Sequence, residues 1–144
     1  MKEKITIKSL SQKERKAYQK ELLRLYDPEK KKTKEYKRSF AESSFVIIAL
    51  CDGQIVGAMR IASDMFMYAC MINLLVDLNF RWRWVGGKIM EKAVSVCTKK
   101  NIKYISLVAD PNIDWLPKFY EKLWFEYSEE NGLYMELKRS KQTE

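Results

Sequence analysis

The chain has 144 residues, 47% apolar and 32% charged, enough for one domain whose core needs no disulfides. Lys and Arg total 27 against 19 Asp and Glu, a net charge of +8, and no apolar run is long enough to span a membrane. Histidine is absent, which excludes Ser-His-Asp and Cys-His catalysis and histidine-ligated zinc. Two oddities remain: five glycines, about half the usual ~7%, and four tryptophans in so small a chain.

The basic excess suits either a solubilising surface or an acidic partner such as nucleic acid, anionic lipid or a phosphorylated cofactor. The densest cluster, Lys30, Lys31, Lys32 and Lys34, is interrupted by Glu29 and Glu35 and reads as a solvated segment. Cys51, Cys70 and Cys97 are widely spaced and odd in number, as expected of thiols in a reducing compartment. No apolar signal region follows Met1–Lys4, so a cytoplasmic protein without a membrane partner is expected.

In chain order, Ile5, Ile7 and Leu10 suggest a short strand. Ser11 and Glu14 form a capping-box pattern, and Tyr18, Leu22, Leu25 and Tyr26 follow at helical spacing until Asp27-Pro28. A second helix is predicted over 34–41. Phe45 to Leu50 and Ile55 to Ile61 flank Asp52-Gly53, a strong hairpin signal. Met67 to Val76 is a long apolar strand, 81–87 a basic loop with glycine, and 88–100 an amphipathic helix closed by Asn101. A buried strand is expected at 104–109, a short helix from Asp114 to Leu123, and two last strands, 125–128 and 134–137, around Asn131-Gly132. The order β-α-α-β-β-β-α-β-α-β-β predicts a single α/β domain over 1–144, with a polar tail from about residue 138.

A strand, a basic glycine loop and a helix form a phosphate-binding arrangement, because unpaired N–H groups at a helix N-terminus attract an anion. The wider stretch is more specific. Residues 73–90, NLLVDLNFRWRWVGGKIM, resemble the cofactor motif of the GNAT N-acetyltransferases, with Arg81 at the Gln/Arg position and Gly86 at the last Gly/Ala. Residues 118–125, KFYEKLWF, resemble the family's FYEKLGF signature, and 52–57, DGQIVG, its hairpin between strands two and three.

The resemblance implies a central mixed, mostly antiparallel sheet with helices on both faces, and acetyl transfer from acetyl-CoA to an amine. It places Leu74, Leu75 and Val76 beside the pantetheine, with a backbone N–H near Val76 polarising the thioester carbonyl. Arg81, Trp82, Arg83, Trp84, Val85, Gly86 and Gly87 then serve the pyrophosphate, and Asn112 contacts CoA after the fifth strand. Tyr120 matches the tyrosine that protonates the departing thiolate. No metal is implied. For the base, Asn73 occupies a plausible place, with Asp64, Asp77 or a water chain as alternatives; Glu42 or Asp64 would have to line the acceptor pocket for a polyamine. A homodimer stays open. The alternative is an inactive GNAT-like module that binds nucleic acid or another anionic partner through Arg81 and Arg83; nucleic acid is the disfavoured partner.

All four tryptophans fall where relatives carry glycine: Trp82 and Trp84 in the loop, Trp115 before the short helix, and Trp124 in the signature. Three explanations compete. The domain has lost CoA binding, the RWRW stretch has a new role, or the tryptophans are UGA codons that the source organism reads as glycine, as some bacterial lineages do.

Overall fold

The computed structural model describes residues 4–81, 84–108, 113–127 and 134–137. Seven strands, β1 (Ile5–Ser9), β2 (Phe45–Cys51), β3 (Gln54–Ser63), β4 (Tyr68–Val76), β5 (Tyr104–Val108), β6 (Phe125–Tyr127) and β7 (Tyr134–Leu137), form one sheet. Their order is β1-β2-β3-β4-β5-β7-β6, antiparallel everywhere except between β4 and β5.

Alternation along β2 divides the core. Val46 and Ile48 face α2 (Gln19–Tyr26) and α3 (Thr33–Glu42), joining Leu22 and Phe40; Ile47 and Ala49 face α4 (Val85–Lys99), joining Ile89, Met90 and Ala93. β2 therefore lies buried on both faces, which is why it reads as a continuous apolar run.

Local signals succeed where the chemistry is local. Ser11 Oγ accepts the Glu14 N–H at 3.2 Å and Glu14 accepts the Ser11 N–H at 3.0 Å, completing the capping box of α1 (Gln12–Ala17). Asp52 and Gly53 both take positive φ, 50° and 78°, in the two-residue turn between β2 and β3. Asn101 (φ 59°) ends α4 in a Schellman arrangement, with Ile102 N–H on the Cys97 carbonyl and Asn101 N–H on that of Thr98.

Three boundaries differ from expectation. The first helix breaks at Tyr18 (ψ 4°) into α1 and α2; the apolar spacing runs through the break and cannot reveal it. The fourth helix, α4, begins at Val85 rather than Lys88. Val85 and Ile89, one turn apart and both fully buried, draw its first turn back over Gly86 and Gly87. The short helix α5 covers only Leu116–Glu121, followed by turns at 122–124. The Asn131-Gly132 turn lies outside the described residues.

One buried cation had no sequence signal. Arg15 is 6% exposed and donates to the carbonyls of Ser43 (2.7 Å), Phe40 (3.0 Å) and Ser44 (3.2 Å), with longer contacts to Leu10 and Ala41. It caps the C-terminal end of α3 from α1. Burial lowers its pKa.

Candidate active site

β4 carries the site because it outruns its parallel neighbour. It pairs with β5 only from Tyr68 to Met71, whereas its pairing with β3 continues to Val76. Residues 72–76 therefore present an edge with no ladder partner among the described residues. The pairing also fixes which groups face that edge. Val76 lies opposite Gly57, yet Asp77, not Val76, donates to the Val56 carbonyl at 2.8 Å. Val76 thus holds a non-hydrogen-bonded position, and its N–H and C=O turn away from β3 toward the open edge. Arg81 Nε donates to that same Val76 carbonyl at 3.1 Å.

The register with β3 shifts between Ala58 and Arg60, and Asn73 stands at the irregularity with φ 57°. Two distant side chains hold it. Tyr26, at the end of α2, donates its hydroxyl to the Asn73 carbonyl at 2.6 Å. Arg60 donates to Asn73 Oδ1 through Nε (3.2 Å) and Nη2 (2.7 Å), and to Ser43 Oγ at 3.1 Å. Tyr26 is itself fixed by stacking on Tyr36 and by Phe40, with centroids 5.6 Å away. Burial raises its pKa, so it stays a donor.

The β4 end meets two helices. A Cβ built on Gly86 would lie 3.4 Å from Phe119 Cζ, 3.8 Å from Val76 Cγ2 and 3.9 Å from Leu74 Cδ2. Gly86 is thus the point where β4, α4 and α5 converge. Gly87 beside it opens on free space. The first turn of α4 carries no acidic residue, and Val85, Gly86 and Gly87 have N–H groups without an intrahelical acceptor. These donors and the open strand edge fit an extended ligand with an anionic end. Trp84, the α4 N-cap, stands in their midst with φ 62° and is 74% exposed.

Tyr120 lies on α5, next to Phe119 at this junction, 7% exposed, its ring edge-on to Phe119 and Phe125. Burial pushes its pKa up to about 12, so the phenol keeps its proton across the neutral range. Of the predicted residues, Leu74, Val76, Gly86 and the Tyr120 helix converge here. Leu75 lies half-buried on β4 between them, and Arg81 and Val85 flank the loop. Trp82, Arg83 and Asn112 fall outside the described residues.

The proposed bases fare differently. Asn73 is committed to Arg60 and Tyr26. Asp64 Oδ1 accepts the N–H groups of Phe66, Met67 and Tyr68, which hold its carboxyl below the ordinary range; it shapes a turn. Asp77 accepts the Asn79 N–H at 2.9 Å and caps the 3-10 turn Leu78–Phe80. Glu42 pairs with Arg38 at the surface. Sequence reasoning missed Tyr26 and Arg60, whose spacing gave only a core helix position and a strand charge. It also missed Glu21 on α2, one of whose carboxylate oxygens is buried without a hydrogen bond among the described residues. No group of three or more metal-ligating side chains occurs among the described residues, and no described helix is long and apolar enough to cross a membrane.

A fourth strand that outruns its parallel pairing with β5 and meets the N-terminus of α4 at Gly86 is the arrangement of the acyltransferase fold class. The chain belongs to the acetyltransferase (GNAT) family, whose sequence profile matches residues 7–125. Solved structures share the fold. A GNAT-family acetyltransferase from Streptococcus pneumoniae is 22% identical, with a TM-score of 0.69 over 85% of this chain and 88% of its own. PaiA N-acetyltransferase from Thermoplasma acidophilum, in complex with coenzyme A, is 16% identical, with a TM-score of 0.70 over 94% and 99%. IAA acetyltransferase from Bacillus cereus is 17% identical, with a TM-score of 0.69 over 87% and 79%. No curated protein matches the chain. The enzyme class and the mostly antiparallel mixed sheet inferred from the motifs are therefore correct.

Proposed function

We propose that this enzyme transfers an acetyl group from acetyl-CoA to a primary amine of a small molecule or peptide. The observation that carries the reading is the unpaired edge of β4 running onto the acid-free N-terminus of α4 beside Tyr120. Acetyl-CoA supplies the activated thioester. The Val76 N–H, aimed at the open edge, hydrogen-bonds the thioester carbonyl oxygen and favours the negative charge that grows there. The N–H groups of Val85, Gly86 and Gly87, with Arg81 nearby, receive the pyrophosphate.

The amine attacks directly. Its nitrogen forms the new C–N bond, the C–S bond breaks, Tyr120 gives its proton to the departing sulfur, and the proton shed by the acylated nitrogen passes through water to restore the phenol. A phenol with pKa about 12 is protonated at neutral pH and so is available as that acid. Tyr120→Phe should lower turnover by on the order of 10²-fold or more and change acetyl-CoA affinity by less than about threefold. An unchanged turnover removes Tyr120 from the mechanism. Salt-sensitive binding of single-stranded nucleic acid, with no calorimetric binding of acetyl-CoA by the chain carrying glycine at 82 and 84, would replace the whole reading.

A further inference from the structure

The three tryptophans among the described residues do not behave as tryptophans. Trp84, Trp115 and Trp124 are 74%, 55% and 48% exposed, although tryptophan is highly buried on average. Two of the three have left-handed backbone, φ 62° at Trp84 and φ 73° at Trp124. In that conformation an L side chain presses its Cβ on the following carbonyl, and a bulky residue there is an outlier. Five other described non-glycine residues take positive φ: Asp52, Asn73 and Asn101, whose short polar side chains tolerate it, and Lys30 and Met65, which lie in exposed loops between elements and set no core residue in place. Gly53, in the β2–β3 turn, shows what such a position ordinarily selects.

Both tryptophans sit where the fold needs the turn. Trp84 is the N-cap of α4, directly before the buried Val85. Trp124 closes the turn after α5, its N–H on the Glu121 carbonyl at 3.0 Å, and delivers the fully buried Phe125 to β6. Neither backbone can be changed without moving a core residue. Trp115 has ordinary dihedrals (φ −82°) and meets Phe119 edge-on, but it stands at a helix N-cap, where glycine is also well accepted.

We propose that positions 84 and 124, and with them 82 and 115, are glycine in the protein as its own cell makes it, the tryptophans standing for UGA codons decoded there as glycine. UGA and the glycine codon GGA differ by one base. The competing explanations reach less far. Loss of CoA binding concerns the loop at 82–84 and gives no reason for a strained, exposed indole at 124. A nucleic-acid role for the loop leaves both 115 and 124 aside. A single decoding event covers all four, and the five glycines and four tryptophan positions together make about 6% of the chain, near the usual ~7%. At 84 and 124 the inference stands on backbone geometry and holds whether or not the acetyl-transfer reading does; 82 and 115 follow only through the shared codon.

The test is the coding DNA at the four positions, with peptide masses of the protein purified from its source cells. Expected are UGA codons and glycine at 82, 84, 115 and 124; UGG at either 84 or 124 overturns the proposal. Recombinant variants test the conformational reason separately from any activity. Trp84→Gly and Trp124→Gly should each raise Tm by roughly 3–8 °C. Trp84→Ala and Trp124→Ala, which remove the indole but keep Cβ, should gain much less. Equal gains from alanine and glycine at both sites would overturn the backbone argument.

Discussion

Deleting the Tyr26 hydroxyl removes one of two hands that hold Asn73 in its left-handed conformation. That hydroxyl donates to the Asn73 carbonyl at 2.6 Å, and Arg60 donates twice to Asn73 Oδ1, at 2.7 and 3.2 Å. The neutral bond is worth about 1 kcal/mol; the charged pair, on a half-buried guanidinium, about 1.5–2 kcal/mol. Because both act on one residue, Tyr26→Phe and Arg60→Met together should cost less than the sum of the two, with a coupling of about 0.5–1 kcal/mol. Urea unfolding of the double-mutant cycle measures this directly. The catalytic consequence is larger, because relaxation at residue 73 displaces Val76, three residues on, and about 1 Å of misplacement costs on the order of 10²-fold. Each single variant should therefore lower kcat about tenfold or more while leaving the dissociation constant of acetyl-CoA within about threefold, since α4 is a separate element. Arg60→Lys, which restores a donor without the fork, should recover part of the loss. Turnover can be followed as thiol release with an amine returned by an acceptor screen. Additive stabilities, or a kcat that does not fall, would show that the two contacts merely decorate the bulge.

Other substitutions probe the scaffold around the site. Arg15→Met strands the carbonyls of Phe40, Ser43 and Ser44 and should cost about 3 kcal/mol in urea unfolding, a large share of an ordinary domain's 5–15 kcal/mol. Gly57→Ala would set a Cβ 2.8 Å from Ile89 Cδ1, 3.2 Å from Val85 Cγ1 and 3.3 Å from the Leu75 carbonyl oxygen, for a loss of about 1–3 kcal/mol. Burial pushes the Asp27 carboxyl up, but hydrogen bonds from Thr33 Oγ1 and the N–H groups of Lys32 and Lys31 outweigh it and hold its pKa down. Such a carboxylate stabilises the fold above its unfolded pKa of about 4, and the contribution is lost as pH falls through the lower folded value. Asp27→Asn should accordingly flatten the acid limb of stability, as read by Tm between about pH 5 and 2.

What the sequence disclosed and what it hid follow one physical line. The capping box, the Asp52-Gly53 turn and the Asn101 cap are contests among neighbouring residues, so the chain spells them out. The cofactor loop and Tyr120 were legible through their motifs alone, since a buried tyrosine and a glycine pair are common in any fold. The clamp on Asn73 spans 47 residues to Tyr26 and 13 to Arg60, and the Arg15 cap spans 25 and more to its main partners. Contacts of that range depend on register, and a β-bulge shifts register without a local signature. Asp64 was a candidate base on residue type, and only its three backbone donors show it to be a turn former.

The same commitments bear on how the acceptor loses its proton. Asn73 is no base, Asp64 and Asp77 are spent on turns, and Glu21 lies about five residues before Tyr26, roughly 140° around α2 from the clamp. Among the described residues, then, none of the carboxylates weighed for the task is placed at the bulge. An amine should reach the thioester already neutral, and kcat/KM should rise about tenfold per pH unit up to the acceptor's own pKa. Tyr120 sets no limit over that range, because its raised pKa keeps it protonated until about pH 12. Two acceptors of similar shape separate the cases: an alkylamine with a pKa of about 10 should still be climbing at pH 9, whereas a weakly basic aromatic amine should be flat from about pH 6. A plateau at one shared pH for both would mean that the enzyme supplies the base, and Glu21→Gln would be the first variant to ask for it.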